Sequence, residues 1–289
     1  MTASSTAVRD LRLHRVRDVL LEQLDGAVER LEKNSRSDAS VHDIRMELKR
    51  ARATLRLLRR SIGDAAYRRD NWSIRDAARP LAPLRDATVL LRTLGRLKNI
   101  DDDDDLRAAR IALTRQFQEE RHTIGRRLLR KHFAAAADTL QRVRERFREI
   151  PRAQLDEAAI GQGLGRVYKA GRRAFGRVRD KPNDGRLHEW RKQVKYLLDQ
   201  IDVARRLGAA KLKKRRKHSH RLADVLGEDH DLAVLNARMA VFADRGVGHR
   251  FALRIEKRRS ALQRAAHHLG KRLYGTGLPR RLSIVRASP

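Results

Sequence analysis

Apolar residues recur every three or four positions along almost the whole chain, and no run alternates apolar with polar residues as a half-buried strand would. Val16, Leu20, Leu24, Ala27 and Leu31 predict a first helix over 7–33. Val41, Ile44, Leu48, Ala51, Leu55 and Leu58 predict a second over 41–61. The same stepping predicts helices at 70–79, 84–97, 105–130 and 132–149. At Ile150-Pro151 the pattern breaks, because proline disfavours helical backbone in the residue before it. Beyond the break, helices are predicted at 153–179, 187–207, 209–226, 229–243 and 248–273. Pro182-Asn183-Asp184-Gly185 reads as a turn, Gly63 and Gly208 as helix ends, and 276–289 as a loose tail. The fold class is therefore all-α.

The two halves resemble each other. VHDIRMELKRARATLRLLR at 41–59 matches LHEWRKQVKYLLDQIDVAR at 187–205, aligning His42 with His188, Arg45 with Arg191 and Lys49 with Lys195 at an offset of 146. LAPLRDATVLLRTL at 81–94 matches LGEDHDLAVLNARM at 226–239, aligning Asp86 with Asp231 and Leu90 with Leu235 at an offset of 145. Two motifs in one order at nearly one offset argue for an internal duplication. The expectation is two pseudo-symmetric helical bundles, about 7–150 and 151–275, packed into a single composite domain.

Charge gives the duplicated helix its interest. On the 41–61 helix, His42, Arg45, Lys49, Arg52, Arg56 and Arg59 follow the apolar positions one residue later, about 100° around the axis. They form a cationic stripe about 25 Å long, at about 1.5 Å per residue. The stripe contains no carboxylate, although mixed signs would support a surface helix better. Its start recurs as His188, Arg191 and Lys195, with Lys192 alongside. A further basic run, KLKKRRKHSHR at 211–221, places Lys214, Lys217, His218 and Arg221 on one helix face.

Composition agrees with an anion site. The 289 residues carry 68 Lys and Arg against 36 Asp and Glu, a formal charge of +32. Of these cations 54 are Arg, the side chain best shaped to grip phosphate oxygens in pairs. Such an excess repels itself unless a polyanion neutralises it. Aromatics are only 4%, few for a protein that stacks unpaired bases. There is no cysteine, which excludes disulfides and Cys-based zinc sites. No secretory-type apolar segment opens the chain and no stretch approaches a membrane span, so a soluble cytoplasmic protein is expected.

Catalytic chemistry is not indicated. No phosphate-binding glycine loop, HExxH or GxSxG is present, and no nucleophile, base and oxyanion set can be assembled. Glu228-Asp229-His230-Asp231 looks like a metal cluster, but Arg85-Asp86 stands at the matching place in the first half. Asp86 and Asp231 are read as helix-start or ion-pair residues, with no metal and no cofactor. Asp101 to Asp105 are read as a loop leading into a helix N-terminus, with occupation of the basic cleft as the alternative.

With both HxxRxxxK helices and both later Leu/Asp motifs in view, the chain resembles the CHAD family, named for its histidine-bearing α-helical domain, over about 7–275. The resemblance implies two similar bundles around a basic pore or cleft, and binding of inorganic polyphosphate. It points to His42, Arg45, Lys49, Arg52 and Arg56, to His188, Arg191, Lys192 and Lys195, and to Lys214, His218 and Arg221. The second half departs from the stripe: Tyr196, Leu198 and Asp199 stand where the first half has Arg50, Arg52 and Ala53. Relatives often carry a CYTH domain with an ExExK signature; none is seen here, so the resemblance implies no enzymatic activity. The expected role is non-enzymatic polyphosphate binding, with association to polyphosphate granules. The alternative is sequence-independent DNA or RNA binding, and a polyphosphate-cleaving enzyme is the third reading.

Overall fold

The computed structural model describes residues 3–33, 35, 37–97, 103–128, 130–150, 157–242, 245–275 and 277. Among these residues all regular structure is helical, made of ten α-helices and two short 3₁₀ turns. In chain order they are α1 (Ala3–Glu32), α2 (Asp38–Ile62), α3 (Asp64–Ala78), α4 (Ala82–Gly95) and α5 (Asp104–Arg127). These are followed by α6 (Arg130–Glu149), α7 (Glu157–Asp180), α8 (Asp184–Arg206), α9 (Lys213–Phe242) and α10 (Arg245–Tyr274).

Local chemistry sets the ends of the two stripe-bearing helices in parallel ways. Ser37 Oγ accepts from the Ser40 amide at 3.2 Å to cap α2, and Asn183 Oδ1 accepts from the Arg186 amide at 2.9 Å to cap α8. The Pro182–Gly185 turn is thus shorter than its composition suggested, because Asn183 is already the cap. Gly63 (φ 81°) and Gly208 (φ 97°) follow the two helices in backbone that other residues rarely adopt.

The halves differ where prolines fall. Pro80 and Pro83 lie where α3 gives way, through one 3₁₀ turn at Arg79–Leu81, to α4. The corresponding stretch of the second half lacks them and runs on as the single helix α9. Separate helices at 209–226 and 229–243 are therefore not what forms. Asp231 lies inside α9, not at a helix start, and Gly227 is tolerated within it.

Packing contacts recur between the halves: α1 on α2 and α7 on α8, α4 on α5 and α9 on α10. Across the halves α2 packs on α8, α4 on α9 and α5 on α10. Two apolar clusters form, and neither belongs to one half of the sequence. The larger joins α1, α2, α3, α6, α7 and α8, with parts of α4, α9 and α10, through residues such as Leu20, Leu55, Trp190 and Leu197. The smaller joins α4, α5, α9 and α10 through Leu94, Phe117, Leu235 and Phe251. Each such fully buried side chain contributes about 1.5–3 kcal/mol by leaving water. α6 packs on α1 and α3.

Candidate polyanion-binding cleft

α2 and α8 lie against each other with their basic stripes turned toward a shared opening. Gln200 fixes the pair where they touch, donating from Nε2 to the Ala53 carbonyl at 3.2 Å in the buried interior. Around this pair the structure opens a cavity of about 1080 Å³, walled by α2, α4, α8, α9 and α10. Lys49 and Arg52 enter it from α2; His188, Arg191, Lys192 and Lys195 enter from α8. A second cavity, about 750 Å³, lies between α2, α7 and α8. Arg52, Lys192 and Tyr196 line both, so the two cavities are neighbours that share these side chains.

Electrostatics show how burial and mutual repulsion weigh on these cations. Lys49 touches the water of the cleft, yet protein walls it on most sides. Desolvation, then the nearby charges of Lys195, Arg45 and Arg191, lower its ammonium pKa to about 8. Lys195 is lowered by the same desolvation and by Arg191. Arg45 and Arg191 are each lowered by desolvation, and each is steadied by one carboxylate, Asp86 and Asp231 respectively. These are the two residue pairs that the sequence offset aligns. The Nε–H of Arg45 and of Arg191 donates to no protein acceptor, although both atoms are buried.

The histidines follow the same logic. His42 is lowered by desolvation and then by Arg85; His188 by desolvation and then by Arg191 and Lys192. The ring of His230 stands 4.7 Å from that of His188, and burial with Arg191 beside it lowers His230 to about 4. All three are therefore neutral at neutral pH.

Neighbouring helices hold the α2 arginines in position. Arg52 Nε donates to Asn71 Oδ1 at 3.0 Å, and Arg56 Nε donates to the Tyr67 hydroxyl at 3.1 Å. Tyr67 and Asn71 are one turn apart on α3. The guanidinium of Arg56 also lies 3.9 Å from the centre of the Tyr196 ring, a cation–π contact. Arg59 is committed to Asp64 through two hydrogen bonds of 2.8 and 2.9 Å.

The model of the CHAD domain family matches residues 15–240. The chain belongs to the CHAD domain family. A crystal structure of the CHAD domain from the plant Ricinus communis superposes with a TM-score of 0.58, at 19% identity, over 94% of this chain and 90% of that one. At that identity the likeness is one of fold. No curated protein matches the sequence.

Within this CHAD fold the expected site residues divide into three groups. Lys49, Arg52, His188, Arg191, Lys192 and Lys195 come together on the larger cavity, and Arg56 lies on the smaller one. His42 and Arg45 line neither; they stand behind Lys49, with Arg45 Nη1 donating to the Ala78 carbonyl at 3.3 Å. Lys214, His218 and Arg221 also line neither. The α9 face that meets the cleft is the one carrying His220, Asp224, Glu228 and Asp231. The second-half wall is completed from elsewhere, by Arg166, Lys169 and Arg173 of α7 and by Arg254, Lys257 and Arg258 of α10.

Asp103 and Asp105 serve the structure. Asp103 Oδ1 caps α5 by accepting from the Leu106 amide at 3.1 Å, and Asp105 pairs with Arg250 at 2.7 Å. Asp104 pairs with Arg107 at 2.7 Å. None of the three lines the cleft; Asp101 and Asp102 lie outside the described residues. The apparent metal cluster is likewise taken up by cations and rings: Glu228 pairs with Arg258, Asp229 with Arg259 at 3.2 Å, and His230 packs on His188.

Proposed function

We propose that this CHAD-family chain is a non-enzymatic binding module for inorganic polyphosphate. The observation that carries the reading is the adjacent pair of basic cavities, whose smaller member is lined by Lys and Arg with no carboxylate. Successive cations on α2, spaced three or four residues apart, stand about 5 Å from one another along the helix. A linear chain with one charge per phosphate suits that repeat. Its oxygens would relieve the mutual repulsion of Lys49, Lys195 and Arg191, and would offer acceptors to the cations that line the cavities. Counterion release adds to affinity, so binding should weaken with salt by roughly 0.7 log units per log of salt for each phosphate engaged. In a cell such a protein would gather on polyphosphate granules.

A nucleic-acid duplex meets the same charge but not the same shape, since a cavity of about 750 Å³ is too small to take in a double helix. Competition tests the reading. Labelled protein is titrated with polyphosphate and with duplex DNA at equal phosphate concentration and moderate salt. Polyphosphate is expected to win; DNA that ties or wins overturns the assignment. Incubation of polyphosphate with the protein and magnesium should leave chain length unchanged on a gel.

A further inference from the structure

The basic run at 211–221 is not used by the cleft, and its placement suggests a purpose of its own. On α9 the residues Lys214, Lys217, His218 and Arg221 share a face that lies about 100° around the helix from the one lining the larger cavity. Lys214, Lys217 and Arg221 are exposed, as is Arg272 near the end of α10. His218 lies within reach of the charge of Arg272 as well as those of Arg221 and Lys217, so the two helices bring their cations together.

Two neighbouring arginines are committed to the fold. Arg215 donates to the carbonyls of Leu273 at 3.1 Å and Gly277 at 2.7 Å, and Arg216 pairs with Asp202. Among the described residues, Lys214, Lys217, Arg221 and Arg272 make no hydrogen bond or ion pair. No carboxylate occurs from Val203 to Ala223, nor anywhere after Glu256. Helix stability does not explain this arrangement. Cations in the first turn of α9 oppose its dipole, and like charges a turn apart repel.

We propose that Lys214, Lys217, His218, Arg221 and Arg272 form a second, external polyanion-binding surface that takes another segment of polyphosphate chain. The inference rests on the polyphosphate reading of the cleft. Two separate surfaces on one molecule let it hold two segments at once, which raises avidity for long chains and allows one protein to bridge two of them. The external surface is open and offers fewer cations than the cleft, so it is the weaker of the two. Polyphosphate is favoured over nucleic acid because the patch is almost wholly Lys and Arg, with no Phe, Tyr or Trp among its members.

The test compares four full-length proteins, each verified as helical by circular dichroism. They are the wild type, a cleft variant (Lys49→Ala, Arg52→Ala, Lys192→Ala, Lys195→Ala), a patch variant (Lys214→Ala, Lys217→Ala, Arg221→Ala, Arg272→Ala), and the combination. The probe is long-chain polyphosphate, read by binding and by light scattering. The cleft variant should keep weak binding with a salt slope of about 3, as four contacts on a single-stranded polyanion imply. The combination should lose it. The patch variant should bind but not form scattering assemblies, whereas the wild type forms them. A single reversal, Lys217→Glu, should reduce scattering in the same sense if the fourfold variant does not fold.

A patch variant that scatters like the wild type overturns the proposal. So does a cleft variant that binds nothing while the wild type binds, or one that prefers duplex DNA to polyphosphate. A wild type that binds no polyphosphate overturns the underlying reading of the cleft instead.

Discussion

The two cavities that share Arg52, Lys192 and Tyr196 solve the problem of concentrated positive charge differently. The larger has nine Lys or Arg on its walls, but also Asp199, Asp224, Glu228 and Asp231. Part of its charge is answered internally: Arg258 pairs with Glu228, and Asp231 steadies Arg191. The smaller has seven Lys or Arg and no carboxylate. Only Arg59 among its α2 arginines finds an acidic partner, Asp64 on the next helix. A space lined by one sign of charge costs stability when empty, and it is where an incoming anion gains most. The difference teaches that the grip on a polyanion should be strongest in the smaller cavity, although the larger holds more of the expected residues.

The sharpest way to break this comparison is to strip each wall in turn. Replacing Arg56, Arg166, Lys169 and Arg173 together with Ala should weaken polyphosphate binding about a thousandfold, at about 1 kcal/mol for each charge-assisted contact. Replacing Arg254, Lys257 and Arg258 should cost about tenfold, because some of that charge is already neutralised. Fluorescence titration reads both. Equal losses, or the reverse order, would remove the distinction between the cavities.

Acidity sharpens it next. Polyanion binding raises the pKa of every group near it, so affinity must rise as pH falls wherever the empty site has lost a proton that the complex keeps. For Lys49, lowered to about 8, the gain comes as pH falls from about 9 through about 8. For His188, held low by desolvation and Arg191, and His42, held low by desolvation and Arg85, it comes on the acid side of neutrality. Asp199, which burial raises to about 6, adds a gain there because its protonation removes a negative charge from the larger cavity. Asp199→Asn should therefore tighten binding about fivefold at neutral pH and flatten the profile near pH 6. Calorimetry across the range would show it, and weaker binding by this variant would mean that Asp199 helps the site.

Smallest is the effect of Tyr196→Leu. It removes the ring beneath Arg56, a contact of about 0.5–1 kcal/mol, and should weaken binding two- to fivefold without changing the salt slope.

Much of this arrangement was legible before any fold was known. Helix positions follow from the 3.6-residue recurrence of buried residues such as Val41, Ile44 and Leu48, and Ser37 and Asn183 are caps by residue type. The α2 and α8 faces were legible because the stripe is long and repeated. The α7 wall carried a usable local signal: Arg166, Lys169 and Arg173 step by three and four within a run free of carboxylates from Ala158 to Arg179. Nothing local says that this face meets α2, however. Tertiary packing decides that, where Gly163 lets α7 approach so closely that a Cβ would stand 3.1 Å from Leu57 Cα. Lys214, His218 and Arg221 lie off the cleft for a related reason. A helix face is defined by its periodicity, but its direction in space depends on partners, and α9 turns His220 and Asp224 inward instead of His218 and Arg221. Tyr196 was legible as a break in the stripe, and its role became clear only with Arg56 lying on its ring.

The central claim is that the cations of the two adjacent cavities hold a polyphosphate chain. The most direct measurement is a calorimetric titration of polyphosphate into the wild type and into the variant lacking Lys49, Arg52, Lys192 and Lys195, all replaced with Ala. Helical content is followed in parallel by circular dichroism. The wild type should bind, and the variant should stay helical and lose about a thousandfold in affinity, at about 1 kcal/mol for each cation removed. A fully helical variant with undiminished affinity would contradict the account.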